Sequence, residues 1–491
     1  MKKRLQILTA IAATVISSNA VAQRYVSNVF SNVSVTKDIT YGQNFSVLTG
    51  APVLSDLKLD LYEPTGDTAA VRPLVVYLHT GSFLPKGVNQ LPTGSRTDST
   101  VLEMCTQFAK KGYVVAAISY RTGWNPQGDQ DTRTGTILNA VYRAMQDTKN
   151  AVRFFRHHAA TAQNAYKIDT NKIVLCGQGS GGYVALACAS LDKVSEIQLQ
   201  KFINQNNNTP YVLQQITGDF EGFGGNPAVN KADNYVGYSS RVNMVANFGG
   251  AMGDSSWLEA GDVPIASVQG FLDPFAPYTT GGVFVPGTNP PLFVVEVSGA
   301  RDISRRANAL GNNNVLKTPA FTDPVSVAAS TYSEGIPALF RINGAANASG
   351  PWEWWSTTDP FSANGLASNP FMSKTRALLY IDTLQQFFAP RMSRVLFGTA
   401  SGVETSLNDN DGVKVYPNPA ADKLFVNFKN FNAGDKYTVE ILDATGRLIV
   451  RESNITENNK SINTSLLNNG IHYVKIISGN ESRVEKLLIN Q

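Results

Sequence analysis

At 491 residues the chain exceeds one ordinary domain, and its 43% hydrophobic and 16% charged content describes a globular protein with a large core and a smaller companion. The formal net charge of +4 is spread along the chain without a basic block, which leaves a solvated surface and no footing for nucleic acid. Three cysteines, Cys105, Cys176 and Cys188, lie in apolar strand or helix patterns, so they read as buried thiols and not as a disulfide or metal site; no cofactor is expected.

Taken in chain order, residues 1–22 read as an export signal. Lys2-Lys3-Arg4 is followed by an apolar run over 5–16 and by Ala20-Val21-Ala22 before Gln23. That run is too short to span a membrane, and no later stretch reaches transmembrane length. Residues 23–397 then form one large region. Strands are predicted over 35–40, 57–62 and 74–78, the last running into His79-Thr80-Gly81-Ser82-Phe83. A helix over 101–111 stops at Gly112, and the strand 113–120 follows. A long helix over about 138–160 precedes the strand 173–176, the glycine-rich turn 177–182 and a further helix. Two more strands fit 242–248 and 265–268; residues 279–331, rich in Gly, Pro and Asn, read as lid-like or decorative loops. A last helix fits 371–388. Apolar strands alternating with helices of crossover length predict an α/β fold whose mostly parallel sheet is covered on both faces.

Composition then shifts. Residues 398–412 are small and polar and read as a linker; Asn408-Asp409-Asn410-Asp411 evokes a calcium loop, but Leu407 occupies its first ligand position. Over 413–491 short strands alternate with turns at 432–434, 445–446, 468–470 and 478–480, the pattern of a small β-sandwich. Tyr416-Pro417-Asn418-Pro419, Asp443-Ala444-Thr445-Gly446-Arg447, Gly470-Ile471-His472-Tyr473 and Lys486-Leu487-Leu488-Ile489 occur in order at the end of the chain. Together they resemble the C-terminal sorting domain of type IX secretion cargo. That resemblance implies the type IX machinery as a partner of residues 413–491, and a secreted or cell-surface location reached through the periplasm and outer membrane.

The large region resembles the α/β-hydrolase fold, nearest its carboxylesterase and lipase branch, through the 79–83 segment, Gly112-Tyr113-Val114-Val115, Tyr166-Lys167-Ile168-Asp169 and the turn Gly177-Gln178-Gly179-Ser180-Gly181-Gly182. A nucleophile elbow admits only small residues two places before and after its apex. With Ser180 at the apex, the bulky Gln178 breaks that rule. With Gly179 there, Gly177 and Gly181 satisfy it, and the nucleophile position holds glycine. The resemblance makes 79–83 the oxyanion loop, with Thr80 in place of its first glycine. Gly81 and the residue after the apex, Ser180, are then the oxyanion-type N–H donors.

The remaining partners of a triad are an acid and a histidine, in that chain order. Asp273, in Gly270-Phe271-Leu272-Asp273-Pro274, matches the acid position, with Gln269 where the family carries a histidine. The chain has four histidines, His79, His157, His158 and His472, and none falls between 158 and 472. Where the family's base is expected stands Ser349-Gly350-Pro351-Trp352-Glu353-Trp354-Trp355. Trp352, Trp354 and Trp355 are placed either to form an aromatic ligand wall, for a sugar ring or an apolar molecule, or to pack beneath a long loop. A glycine apex is also expected to leave room above the sheet. The favoured expectation is an exported, degenerate hydrolase that binds a small molecule, glycan or partner without turnover. The alternatives are an ester hydrolase using Ser180 in a distorted elbow with Glu353 or another carboxylate as base, and a structural or adhesive surface protein that uses its insertions and not the cleft.

Overall fold

Strands β3 (Arg72–Leu78) and β4 (Val114–Ile118) are buried along their whole length, which places them in the centre of a sheet covered on both faces. They join β1 (Val33–Ser46), β2 (Val53–Pro64), β5 (Ile168–Gln178), β6 (Met244–Phe248), β7 (Ile265–Gly270) and, beyond a hairpin of β8 (Gly281–Val285) and β9 (Leu292–Val297), β10 (Leu339–Ile342). The eight-stranded sheet runs β1-β2-β4-β3-β5-β6-β7-β10. β2 is antiparallel to both its neighbours, and the pairings from β4 to β10 are parallel. This computed structural model describes residues 24–398 apart from 49, 286, 287, 289, 318 and 345–347, and then 405–406, 413–428, 436–443, 448–478 and 481–490. The expected export signal, nearly all of the expected linker with its Asn408 to Asp411 run, and the expected turns at 432–434 and 445–446 lie outside the described residues.

The period of two along each strand divides the core into two layers. Leu74, Val76 and Leu78 face one cluster with Ile173 and Leu175; Val75 and Tyr77 face the other with Val174 and Cys176. Helices α2 (Gln130–Thr161) and α3 (Ser180–Ser190) close the first layer. Helices α1 (Ser99–Lys110) and, near the end of the unit, α6 (Lys374–Phe397) close the second. On α1 the buried Val101, Met104, Cys105, Phe108 and Ala109 recur at helical spacing and form one apolar stripe. The three cysteines are free thiols.

Two expectations change. Helix α2 starts eight residues before the expected 138, at Gln130, capped by Asp129, whose carboxylate accepts from the Thr132 N–H at 2.8 Å. Its polar first turns lack an apolar stripe because they are covered by the β8–β9 hairpin: Gln130 Nε2 and Thr134 Oγ1 donate to the Val294 carbonyl and Arg133 Nε to the Phe293 carbonyl. Residues 279–331 are accordingly not only loops. They hold that hairpin, α4 (Ala300–Ala309) and α5 (Pro324–Tyr332), the last with proline in its first turn and an Asp323 cap.

The chain divides into two compact units, Met1–Ser401 and Gly402–Gln491. The second is a small β domain. A three-stranded sheet (Val413–Tyr416, Lys423–Phe428, Asn459–Asn463) faces a five-stranded one whose central strands are Tyr437–Asp443, Gly470–Ser478 and Glu481–Ile489. Alternate residues Leu424, Val426 and Phe428 meet Val439, Ile441, Val474, Ile476 and Leu487 between them. His472 is buried in this unit. Among the described residues no helix is long and apolar enough to cross a membrane.

Candidate active-site cleft

β5 ends at Gln178 and α3 begins at Ser180, so Gly179 alone makes the turn between them. Its φ of 54° and ψ of −119° lie where a side chain is strained. A Cβ on residue 177 would lie 2.3 Å from the Gly181 carbonyl oxygen, and one on residue 181 would lie 2.2 Å from the Leu78 carbonyl oxygen. Both positions therefore exclude any side chain, and residue 179 is the apex. A Cβ on residue 179 would itself meet Thr80 Oγ1 at 2.3 Å and Thr80 Cβ at 3.0 Å. The room expected above a glycine apex is thus absent, because the Thr80 side chain fills it. In the sequence Thr80 is visible only as a departure in the oxyanion-type loop; its pairing with Gly179 is set by the approach of two separate turns.

Ser180, 7% exposed, opens α3. Tyr120 Oη donates to the His79 carbonyl at 2.6 Å and lies 3.2 Å from Ser180 Oγ, so the serine hydroxyl is the donor of that second bond. The His79 ring stacks on Tyr120 at 4.7 Å and its Nδ1 meets the Thr80 carbonyl at 2.5 Å. Burial lowers its pKa to about 4, so the imidazole is neutral and serves to hold the loop. The loop itself is strained: Gly81, Ser82 and Phe83 have φ of 139°, 54° and 56°. The N–H groups of Gly81 and Ser180 have no acceptor among the described residues.

Asp273 is buried after β7 and accepts from the N–H groups of Phe275 and Ala276, from Gln269 Nε2 at 3.2 Å and from Ser349 Oγ at 3.1 Å. Burial without a cationic partner raises its carboxyl to about 7, against the lowering effect of those four donors. Ser349, from the segment in which the resemblance expects a base, is the residue that donates to Asp273, and a serine takes no proton at neutral pH. Glu353 is not near enough to Ser180 to bond it: its Oε1 accepts from Gln178 Nε2 at 2.7 Å, and Tyr77 Oη donates to Gln178 Oε1 at 2.9 Å. Burial first, then the negative Asp98, raises Glu353 to about 8. His157 and His158 lie at the far end of α2 against Tyr235 and Tyr166. Among the described residues, Tyr120 Oη is the hydrogen-bond partner of Ser180 Oγ.

A cavity of about 160 Å³ extends from Thr80, Gly179, Ser180 and Ser349 into the molecule between α2, α3 and the β8–β9 hairpin. Its walls include Phe83, Leu138, Val141, Phe202, Trp257 and Val294, and none of its 26 lining residues is charged. Trp352, Trp354 and Trp355 do not line it. Trp352 packs edge-on against Phe248 at 5.1 Å, Trp354 packs on the second core layer, and Trp355 Nε1 donates to Ser362 Oγ. These three are packing residues, and the aromatic wall comes instead from Trp124 and Trp257. Neither of the latter stood near a motif, so nothing in the sequence marked them.

Residues 59–279 match the BD-FAE family model, and residues 414–490 match the model of the secretion system C-terminal sorting domain. No curated protein matches at a significant level. Among solved structures, Thermogutta terrifontis esterase 2 phosphorylated by paraoxon is similar at 18% identity and a TM-score of 0.36, over 74% of this chain and 93% of that one. A truncated carbohydrate esterase from gut microbiota is similar at 15% identity and a TM-score of 0.36, over 74% and 98% of the two chains. The sorting domain directs export by the type IX system of Gram-negative bacteria, to the cell surface or the medium. The chain therefore carries an esterase/lipase-like BD-FAE domain of α/β-hydrolase fold, followed by a type IX secretion sorting domain.

Proposed function

We propose that the exported domain binds an apolar small molecule in this cleft without hydrolysing it. The observation that carries this reading is the filling of the nucleophile's place: Gly179 offers no side chain, and Thr80 Oγ1 occupies the point where one would project. The base is missing as well, since Ser349 faces Asp273. Triad members act as a unit, so loss of both costs orders of magnitude in rate. Ser180 does not replace them. Its hydroxyl donates to Tyr120, whose own proton is committed to the His79 carbonyl and whose phenol burial keeps neutral.

What the cleft retains favours binding. An uncharged cavity gains roughly 0.8 kcal/mol for each CH₂ it removes from water, about 6 kcal/mol for an eight-carbon chain before the cost of association. The N–H group of Ser180, which lines the cavity, and that of Gly81, between the lining Thr80 and Ser82, have no acceptor among the described residues, which suits the oxyanion-type role that the resemblance implies. The full-length protein and its Ser180→Ala variant should both hydrolyse p-nitrophenyl butyrate at no more than the buffer rate. Turnover in the wild type that disappears in Ser180→Ala, with the fold intact, would establish the esterase reading instead.

A further inference from the structure

We propose that a second site, remote from the cleft and independent of whether the cleft hydrolyses, holds a neutral glycan in a groove beside the end of α2. The groove has a volume of about 560 Å³, within the range of a ligand site, and is walled by His157 and by the segment 231–238. It shares no residue with the apolar cavity. Tyr142 is the last residue of α2 on that cavity, and His157 lies roughly 22 Å further along the helix at its rise of 1.5 Å per residue. The turn Tyr235-Val236-Gly237-Tyr238 shapes the groove. The Tyr238 N–H donates to the Tyr235 carbonyl at 3.4 Å, with Gly237 at a φ of 89° and Tyr235 itself at 55°, where a bulky residue is strained. The turn thereby sets both phenol rings against the His157 ring, at 4.9 and 5.2 Å between centroids and at interplanar angles of 42° and 82°. Rings so angled form an apolar platform for the C–H face of a pyranose.

The polar groups around the rings include both donors and acceptors. Asn234 donates its amide hydrogens to the Gln43 and Lys231 carbonyls, which leaves Oδ1 as an acceptor. Lys231 and Asn234 also line a smaller pocket of about 10 Å³, the room of one water molecule or one hydroxyl group. Asn150 and Arg153 line that pocket at 3% and 2% exposure, and Asn150 Oδ1 and Arg153 Nε have no hydrogen-bond partner among the described residues. A hydroxyl both accepts from an N–H and donates to a carbonyl oxygen, which matches that pair. Charge decides the class of ligand. Each charged residue lining the groove or the pocket meets an opposite charge: Lys231 and Asp233 at 3.1 Å, Arg153 and Glu221 at 2.6 Å, Asp147 and Arg121 at 2.9 Å. The site therefore favours neither an anion nor a cation. Hydroxyl groups that donate and accept, joined to apolar C–H faces, are the chemistry of an uncharged sugar.

The test is saturation-transfer NMR of the full-length chain with cellohexaose, xylohexaose, maltohexaose and hexagalacturonate. At least one of the three neutral glycans should bind with a dissociation constant of about 1 mM or below, and about tenfold more tightly than hexagalacturonate. Tyr238→Ala removes one ring and should weaken that glycan about tenfold. Asp233→Ala changes a side chain that is 72% exposed, so the fold is kept, and should weaken it about threefold. Binding of none of the neutral glycans would overturn the site, and hexagalacturonate binding as tightly as the best of them would overturn the assignment of an uncharged ligand. Unchanged affinity in both folded variants would place the glycan elsewhere and overturn the proposal.

Discussion

Thr80 and Gly179 form a pair in which each residue explains the other. The side chain of one stands where the side chain of the other would be, so serine cannot return to the apex alone. Gly179→Ser should lose about 2–4 kcal/mol of stability through overpacking and strain at a positive φ. The variant Thr80→Gly with Gly179→Ser should lose about 1–2 kcal/mol less than the sum of the single changes, read as a double-mutant cycle in urea. Additive losses would show that the two side chains do not compete. The register of the apex was legible in the sequence because glycine spacing is a local rule. The plug was not, since Thr80 reaches Gly179 through the packing of β3 against β5. Ser349 was legible only as the absence of histidine.

At the scale of elements, the strand-turn-helix from β5 to α3 is fixed by close backbone approach. Gly177→Ala would press a methyl group against the Gly181 carbonyl, where backbone cannot yield, and should cost more than about 3 kcal/mol in urea unfolding. The parallel sheet was readable because its central strands are continuous apolar runs bounded by glycine and helix signals. The hairpin and the start of α2 were not. Each is polar or glycine-rich alone, and each is ordered by the other through the bonds to Phe293 and Val294. That mutual cover also forms one wall of the cavity, which is why the cavity's apolar lining could not be read from any single segment.

At the scale of the molecule, the acids that border the cleft set a pH dependence opposite to ordinary acid denaturation. Asp273 and Glu353 are held at about 7 and about 8, above their unfolded values, by burial. The folded chain thus keeps protons that the unfolded chain has released, and this contribution is lost as pH rises from about 4 through 8. Glu353→Gln, which preserves an acceptor for Gln178, should stabilise the fold against heat by about 2–3 kcal/mol more at pH 8.5 than at pH 5.5, where only about one unit of the gap between folded and unfolded values is expressed. An equal effect at both pH values would show that Glu353 does not titrate in this window. The second unit acts separately, as an address: a chain ending at residue 412 should accumulate in the periplasm, as read by immunoblot of cell fractions, while the full chain leaves it.

The most direct test of a cleft that binds without hydrolysing is covalent. On the proposed reading the full-length protein, exposed to a fluorophosphonate that labels active serine hydrolases and weighed intact, should show no adduct, because residue 179 has no hydroxyl and Ser180 Oγ donates to the neutral Tyr120. A stoichiometric adduct mapping to Ser180 would contradict it.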